Sequence, residues 1–111
     1  MAKYLLIESR DPFEYGDVNY FCGVARDLAS AGNSVTLFLI QNGVLMCRNG
    51  VANNPLPSVL KGSLKVDVRA DDFSLRERGI NAGSLVSGVK QSSVDELVDL
   101  LTADGIKAVW H

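Results

Sequence analysis

Two cysteines are the soft nucleophiles of this 111-residue sequence, and they set the first question about its chemistry. Cys47 follows an apolar, β-branched run over 34–40 and precedes Arg48. If residues 43–47 form a helical turn, free backbone donors and the Arg48 guanidinium would lower the pKa of the Cys47 thiol and suit sulfur transfer or thiol redox chemistry. The alternative is a loop residue without a chemical role. Cys22 lies on an apolar helical stripe, where a free cysteine usually packs as a small hydrophobe.

A second group of polar residues follows the predicted strands. In an open α/β sheet, ligands bind beyond the carboxyl ends of the strands, where loops converge with helix amino termini. The candidate pocket residues at these ends are Arg10, Gln41, Asn42, Gly43, Arg48, Asp71 and Asp72. Such a pocket would hold a small anion, with Arg10 and Arg48 supplying charge. An alternative role for Asp71 and Asp72 is that of paired carboxylates, but the sequence favours a helix cap.

Several classes of site lack their residues. The sequence has no Cys-x-x-Cys and one histidine, so a zinc site is not expected. It has no Gly-x-Gly-x-x-Gly or Walker-type loop, and no cofactor is expected. The histidine, His111, is the last residue, and we expect it to fray and to make a poor general base unless a partner chain holds it.

Composition narrows the class of protein further. The length predicts a single domain over residues 1–111, and 47% hydrophobic with 22% charged residues predicts a packed core. The net charge of -2 argues against direct nucleic-acid binding. No apolar run approaches the roughly 18 residues of a membrane span, so no membrane association is expected. The first residues lack the apolar core of a secretory signal, which predicts a cytoplasmic protein with reduced thiols.

The elements that would position these residues alternate between strands and helices. Apolar runs predict strands over 3–8, 34–40, 64–68 and 106–110, with a weak one over 85–89. Helical spacing predicts a helix from Asp17 to Gly32, a short one before Gly62, a turn or two ending at Gly79, and a capped helix that begins after Ser93. This order predicts a three-layer α/β/α sandwich around a mostly parallel sheet of about five strands.

Three stretches of the sequence are similar to those of a known family. They are DPFE before the first helix, FLIQNGVLMC after the second strand, and LKVDVRADDFSLRERGI with a closing AVW. Together they resemble the DsrE/DsrF/DsrH family of sulfur-relay proteins (TusB/TusC/TusD). The likeness is closest to the DsrH/TusB branch, and the residues that carry it are Asn42-Gly43-Val44, Asp71-Asp72, Glu77-Arg78-Gly79 and Trp110.

The resemblance implies a small cytosolic subunit that passes persulfide sulfur in sulfur oxidation or tRNA thiolation. Its implied partners are copies of itself or DsrE/DsrF-like paralogues, and other sulfur-transfer proteins. In the DsrE/TusD branch the carrier cysteine follows the third strand, where this chain has Asp71 and Asp72, so that specific role is not expected. DsrH-type chains can have a cysteine in the first helix, which implies a role for Cys22.

Three hypotheses on function remain open at this point. A persulfide forms on Cys22 or Cys47, or the chain only completes an interface for a paralogue that carries sulfur. Alternatively, the chain is a thiol-independent module that binds a small anion or nucleotide at its strand ends. The third hypothesis is a purely structural subunit of an oligomer.

Overall fold

A computed structural model describes residues 1–61 and 65–111 of the chain. The strands are β1 Lys3–Glu8, β2 Ser34–Leu39, β3 Val66–Asp71, β4 Lys90–Ser92 and β5 Ile106–Trp110. The α-helices are α1 Asp17–Ser30, α2 Leu56–Leu60, α3 Asp72–Glu77 and α4 Val94–Leu101, and 3-10 helices cover Gln41–Cys47 and Ala82–Ser84. Within these described ranges, no helix is long and apolar enough to cross a bilayer.

The strands form one parallel sheet in the order β4-β3-β2-β1-β5. The apolar runs of β1 and β2 lie in the middle, where both faces of a parallel sheet are covered by helices. Leu6 of β1 pairs with Leu37 of β2 on one side and Val109 of β5 on the other. The predicted α/β sandwich is therefore confirmed, and β5 is an edge strand.

The two faces of the sheet have separate cores. The larger core lies under α1 and α2 and includes Val18, Cys22 and Leu56. The smaller core lies under α4 and comprises Leu5, Ile7, Phe38, Ile40 and Leu97. Because side chains alternate between faces along each strand, β1 contributes Leu6 to the first core and Leu5 and Ile7 to the second. The sheet is thus the middle of three layers.

The fourth strand does not lie where the sequence predicts it. Residues 85–89 form a connection in which Leu85 makes an isolated antiparallel bridge to Arg48 and the Val86 N–H donates to the Cys47 carbonyl. The strand β4 follows directly at Lys90–Ser92. The apolar residues of 85–89 therefore cover the core as a connection, and the predicted strand 85–89 is wrong. The predicted start of the third strand at Leu64 and the predicted helix end at Gly62 lie outside the described residues.

Two of the predicted helix caps are present. The Asp71 carboxylate accepts hydrogen bonds from the Ser74 backbone N–H at 3.0 Å and from the Ser74 hydroxyl at 2.6 Å. The Ser93 hydroxyl accepts from the Glu96 N–H at 3.3 Å. Each cap satisfies a backbone donor that the first helical turn leaves free. The cap interpretation of the Asp71-Asp72 pair is confirmed, with Asp71 as the capping residue.

Candidate functional site

Both cysteine thiols lie inside the larger core. Cys22 is 1% exposed and Cys47 is 0% exposed. Burial raises the pKa of each thiol to about 12, and the negative charge of Glu8 adds to the effect at Cys22. Because the thiolate is the nucleophile, both thiols are unreactive in this conformation. That Cys22 or Cys47 carries sulfur stays a prediction.

The expected activation of Cys47 is wrong for a geometric reason. The helical turn does form, but Cys47 is the last residue of the 3-10 helix Gln41–Cys47. Its free N–H donors are therefore at the opposite end of the helix. The Arg48 guanidinium turns back to donate from Nε to the Leu45 carbonyl at 2.9 Å. Neither feature offsets the effect of burial, which raises the pKa of the Cys47 thiol.

The histidine is held between two carboxylates. His111 Nδ1 lies 2.8 and 2.9 Å from the two oxygens of Glu8, and Nε2 lies 2.9 Å from Asp17 Oδ2. The imidazole also stacks on Phe21, with ring centroids 5.1 Å apart. We call Glu8, Asp17 and His111 the histidine clamp. With both ring nitrogens facing acceptors, the clamp suits an imidazolium that ties β5 to β1 and α1, and it leaves no free nitrogen for a general base.

The backbone of His111 is fixed as firmly as its ring. The His111 N–H donates to the Ile7 carbonyl at 2.8 Å, and the His111 carbonyl accepts from the Ser9 N–H at 3.1 Å. The Ser9 hydroxyl donates to the same carbonyl at 3.1 Å. The expectation that His111 frays is therefore wrong, because these bonds continue the pairing of β5 with β1 beyond Trp110.

The electrostatics of the clamp follow from the burial of Glu8. Burial raises the pKa of Glu8, although hydrogen bonds from His111 and from the Arg10 backbone act against the shift. Partial burial lowers the pKa of His111, but its hydrogen bonds to Glu8 and Asp17 outweigh that effect and raise it overall. The hydrogen bond from His111 lowers the pKa of Asp17. The clamp is thus a coupled set in which the imidazolium stabilises a buried carboxylate.

At Gly43, the start of the Gln41–Cys47 helix packs closely against the end of β1, beside the clamp. A Cβ at this position would lie 2.3 Å from the Glu8 carbonyl oxygen. The same carbonyl accepts from the Ile40 N–H at 3.0 Å. Glycine is therefore required for steric reasons, because the Gln41–Cys47 helix begins directly against the end of β1.

A groove of about 320 Å³ lies at the carboxyl ends of β2, β3 and β5, on the α4 side of the sheet. Its lining is largely apolar and includes three exposed or half-exposed side chains, Phe73, Val94 and Trp110. The remaining lining residues are Ile40, Gln41, Asp71, Ser74, Glu77 and Leu97. This is the position at which open α/β sheets bind ligands. We call it the strand-end groove.

A hydrogen-bond network forms the polar wall of the groove. The Ser74 hydroxyl donates to Asp71 and accepts from the Gln41 backbone N–H at 2.9 Å. This bond helps to hold Gln41 at a φ of 51°, a left-handed conformation that is unusual for a residue with a side chain. Asp71 thereby fixes the path of the chain after β2 as well as the start of α3.

The structure brings only two of the predicted pocket residues, Gln41 and Asp71, into the groove. Asp72 pairs instead with Arg76, at 3.5 Å along α3. Arg10 lies over the Tyr15 ring at 5.2 Å and close to the clamp, with Nη1 at 3.9 Å from Asp17. These contacts place the Arg10 charge beside the amino end of α1.

Asn42 and Arg48 also have partners of their own. The Asn42 side-chain oxygen accepts from Arg78 Nε at 3.2 Å and from Nη2 at 3.0 Å. This pair joins the Gln41–Cys47 helix to the end of α3. Arg48 donates to the Leu45 carbonyl, as described above. Both side chains therefore stabilise local structure.

Sequence reasoning missed the aromatic part of the groove and the clamp. Phe73 and Trp110 are far apart in the sequence, and parallel pairing of β5 beside β1 brings them to one edge of the sheet. No local sequence pattern indicates the clamp, because His111 and Glu8 are separated by almost the whole chain. Within the described ranges, no three histidine, cysteine, aspartate or glutamate side chains are placed to hold a metal ion.

Comparison with known proteins identifies the fold. No family model matches the chain, and no curated protein matches it. Among solved structures, the ychN protein from E. coli is similar with a TM-score of 0.82 and 21% identity, covering 98% of this chain and all (100%) of that one. The protein of unknown function MTH1491 from Methanobacterium thermoautotrophicum is similar with a TM-score of 0.82 and 20% identity, covering 100% of both chains. The chain therefore has the fold of these two proteins.

Proposed function

We propose that this chain is the interface-forming subunit of a DsrE-like sulfur-relay assembly in the cytoplasm, and that another protein carries the sulfur. The sequence resemblance and the shared fold support the DsrE-like part of this proposal. The burial of both thiols is the main observation in favour of separate roles, in which this chain forms the interface and another protein carries the sulfur. The DsrE/TusD branch has its carrier cysteine just after the third strand, whereas here β3 ends at the capping residue Asp71 and Asp72 follows it.

An exposed apolar surface on α4 and β5 supports the interface role. Val94, Val98 and Leu101 follow each other at helical spacing and are between 40% and 53% exposed. Trp110, on the adjacent edge strand, is 63% exposed and lies on the α4 side of the sheet, as does its register partner Ile7. We call Val94, Val98, Leu101 and Trp110 the α4–β5 surface. Exposed apolar patches next to an unpaired strand edge are typical of subunit contacts.

The occupant that we propose for this surface is a second copy of the chain. Because β5 is an edge strand of the sheet that the described residues form, its outer backbone groups can pair with the same strand of another copy in an isologous contact. A charged side chain in the centre of such a contact would be costly to bury. Assembly with DsrE/DsrF-like paralogues stays a prediction of the resemblance.

Light scattering on the purified chain tests the interface. We expect an oligomer for the wild type and a monomer for Val98→Glu. Tyr20→Glu is the matched control, because Tyr20 is an exposed apolar residue (77%) on α1. A monomeric wild type at high micromolar concentration would refute the contact. Equal effects of the Val98 and Tyr20 substitutions would show that the α4–β5 surface is not the interface.

The division of roles is tested by persulfide formation. The folded chain is incubated with a cysteine desulfurase and cysteine, and its intact mass is read. We expect no sulfur adduct on the wild type, because neither thiol is accessible. An adduct that disappears in Cys22→Ser or in Cys47→Ser would assign the carrier role to that residue and contradict the proposal.

A further inference from the structure

We propose that the strand-end groove binds a small organic cation, a protonated amine attached to an apolar or aromatic body. This goes beyond the interface role and does not rest on it. Val94 and Trp110 belong both to the groove and to the α4–β5 surface, so a ligand and a second copy of the chain would compete for them. The inference depends on a buried carboxylate of the groove that lacks a partner, on the acidic charge of the described lining, and on the aromatic side chains around it.

Asp71 is the anchor for the positive group. Its side chain lines the groove and the residue is only 3% exposed. Oδ2 receives both hydrogen bonds of the α3 cap, whereas the buried Oδ1 has no partner among the described residues. Ser92, its register partner on β4, likewise has a buried hydroxyl oxygen without a partner in this part of the chain. A buried carboxylate oxygen without a donor is costly, so a ligand that displaces the side chains covering Oδ1 and donates to it gains that energy.

The charges around the groove select a cation. Every charged side chain among the described lining residues is acidic, namely Asp71 and Glu77. Glu77 has an ion-pair contact with Arg78 at 3.7 Å. Arg69, on the same face of β3 as Asp71, is already engaged by Asp67 at 2.9 Å and Glu96 at 3.2 Å. Asp71 therefore presents the negative charge available to a ligand.

The rest of the lining selects an apolar body. Phe73 and Trp110 expose ring surface at the groove, and Leu97 and Ile40 form its inner wall. Aromatic faces attract cations as well as apolar groups. Because Arg76 already lies over the Phe73 ring, with its guanidinium carbon 5.9 Å from the ring centroid, Trp110 is the ring that reinforces the preference for an amine. A volume of about 320 Å³ is in the range of small-molecule pockets.

Titration calorimetry with 2-phenylethylammonium tests the proposal, with neutral 2-phenylethanol as the matched ligand. We expect the amine to bind at least about tenfold more tightly than the alcohol, because its hydrogen bond to Asp71 is charge-assisted. In Asp71→Asn, which keeps an oxygen to cap α3, we expect this preference to vanish. Asp72→Asn is the control, because Asp72 pairs with Arg76 and does not line the groove.

Amide chemical shifts of the wild type provide a readout that needs no variant. We expect the amine to shift the signals of Gln41, Ser74 and Leu97 in a saturable way. Equal affinities for amine and alcohol would overturn the proposal, as would a preference that survives in Asp71→Asn. Shifts confined to other regions, or no saturable binding at millimolar concentrations, would overturn it equally.

Discussion

Removal of the His111 side chain tests how much the histidine clamp contributes to stability. In His111→Ala, the buried carboxylate of Glu8 loses its ring partner and keeps backbone hydrogen bonds, among them one from the Arg10 N–H at 3.1 Å. Breaking a buried charge pair costs about 3–5 kcal/mol, and loss of the ring contact with Phe21 adds about 1 kcal/mol. Because the His111 side chain is 22% exposed, solvent screens the pair, and we place the total at about 3 kcal/mol, below the sum of these two contributions.

Urea unfolding followed by circular dichroism measures this loss. For a domain of this size, about 3 kcal/mol corresponds to a fall in Tm of roughly 10–15 °C. His111→Phe is the matched control, because it keeps a ring on Phe21 and removes only the hydrogen bonds and the charge. We expect it to lose most of the same stability. A loss below about 1 kcal/mol in both variants would refute the assigned role of the clamp.

The same clamp makes the stability of the fold depend on pH, and the pKa shifts give the direction of that dependence. The pKa of His111 is raised in the folded state, so its contribution is complete below the unfolded value of 6.5 and is lost as pH rises through the folded pKa. Glu8 has the same sign, because its pKa is also raised. Asp17 has the opposite sign, since its lowered pKa makes its contribution disappear only in acid, below 3.8. Between about pH 6 and 8 we therefore expect falling stability in the wild type and a flat profile in Glu8→Gln/His111→Phe. A flat wild-type profile would contradict this assignment.

Further predictions concern the packing, the thiols and the α3 cap. Gly43→Ala should cost about 1–3 kcal/mol or more in urea unfolding because its Cβ would meet the Glu8 carbonyl, whereas Gly83→Ala, with open space around it, should be neutral; equal effects would contradict the steric argument. In the folded protein, Cys22 and Cys47 should react with a disulfide reagent at pH 8 at least about 100-fold more slowly than in urea, and a comparable rate would show that a thiol is accessible. Asp71→Ala should lower stability by about 1–2 kcal/mol through loss of the α3 cap, with Asp72→Ala as a milder control, and a larger effect of Asp72→Ala would reverse the assignment.

The sheet could be predicted from local patterns because β1 and β2 are central strands of a parallel sheet. Such strands are covered on both faces, and their sequences are therefore continuous apolar runs that stand out from the helices. The prediction failed at residues 85–89, where similar apolar residues cover the core from a connection. An apolar run reports burial, and burial alone does not distinguish a short edge strand from a packed loop.

The chemistry of the strand ends was harder to predict than their position. Gln41 and Asp71 lie at the ends of neighbouring strands, and both line the strand-end groove; that they contact a ligand there stays a prediction. Whether a thiol is activated depends on which end of a helical turn it occupies and on how deeply it is buried, as Cys47 shows. The contact of His111 with Glu8 depends on the pairing of β5 with β1, which no local pattern encodes.

Intact-mass measurement of the folded chain after treatment with a cysteine desulfurase tests the central claim most directly, namely that this chain forms an interface and that another protein carries the sulfur. Unfolding in urea with an alkylating reagent, run in parallel, verifies that Cys22 and Cys47 are free and reactive once exposed. We predict that the folded wild type keeps its unmodified mass. A stable adduct of one sulfur atom on either cysteine of the folded chain would contradict the account.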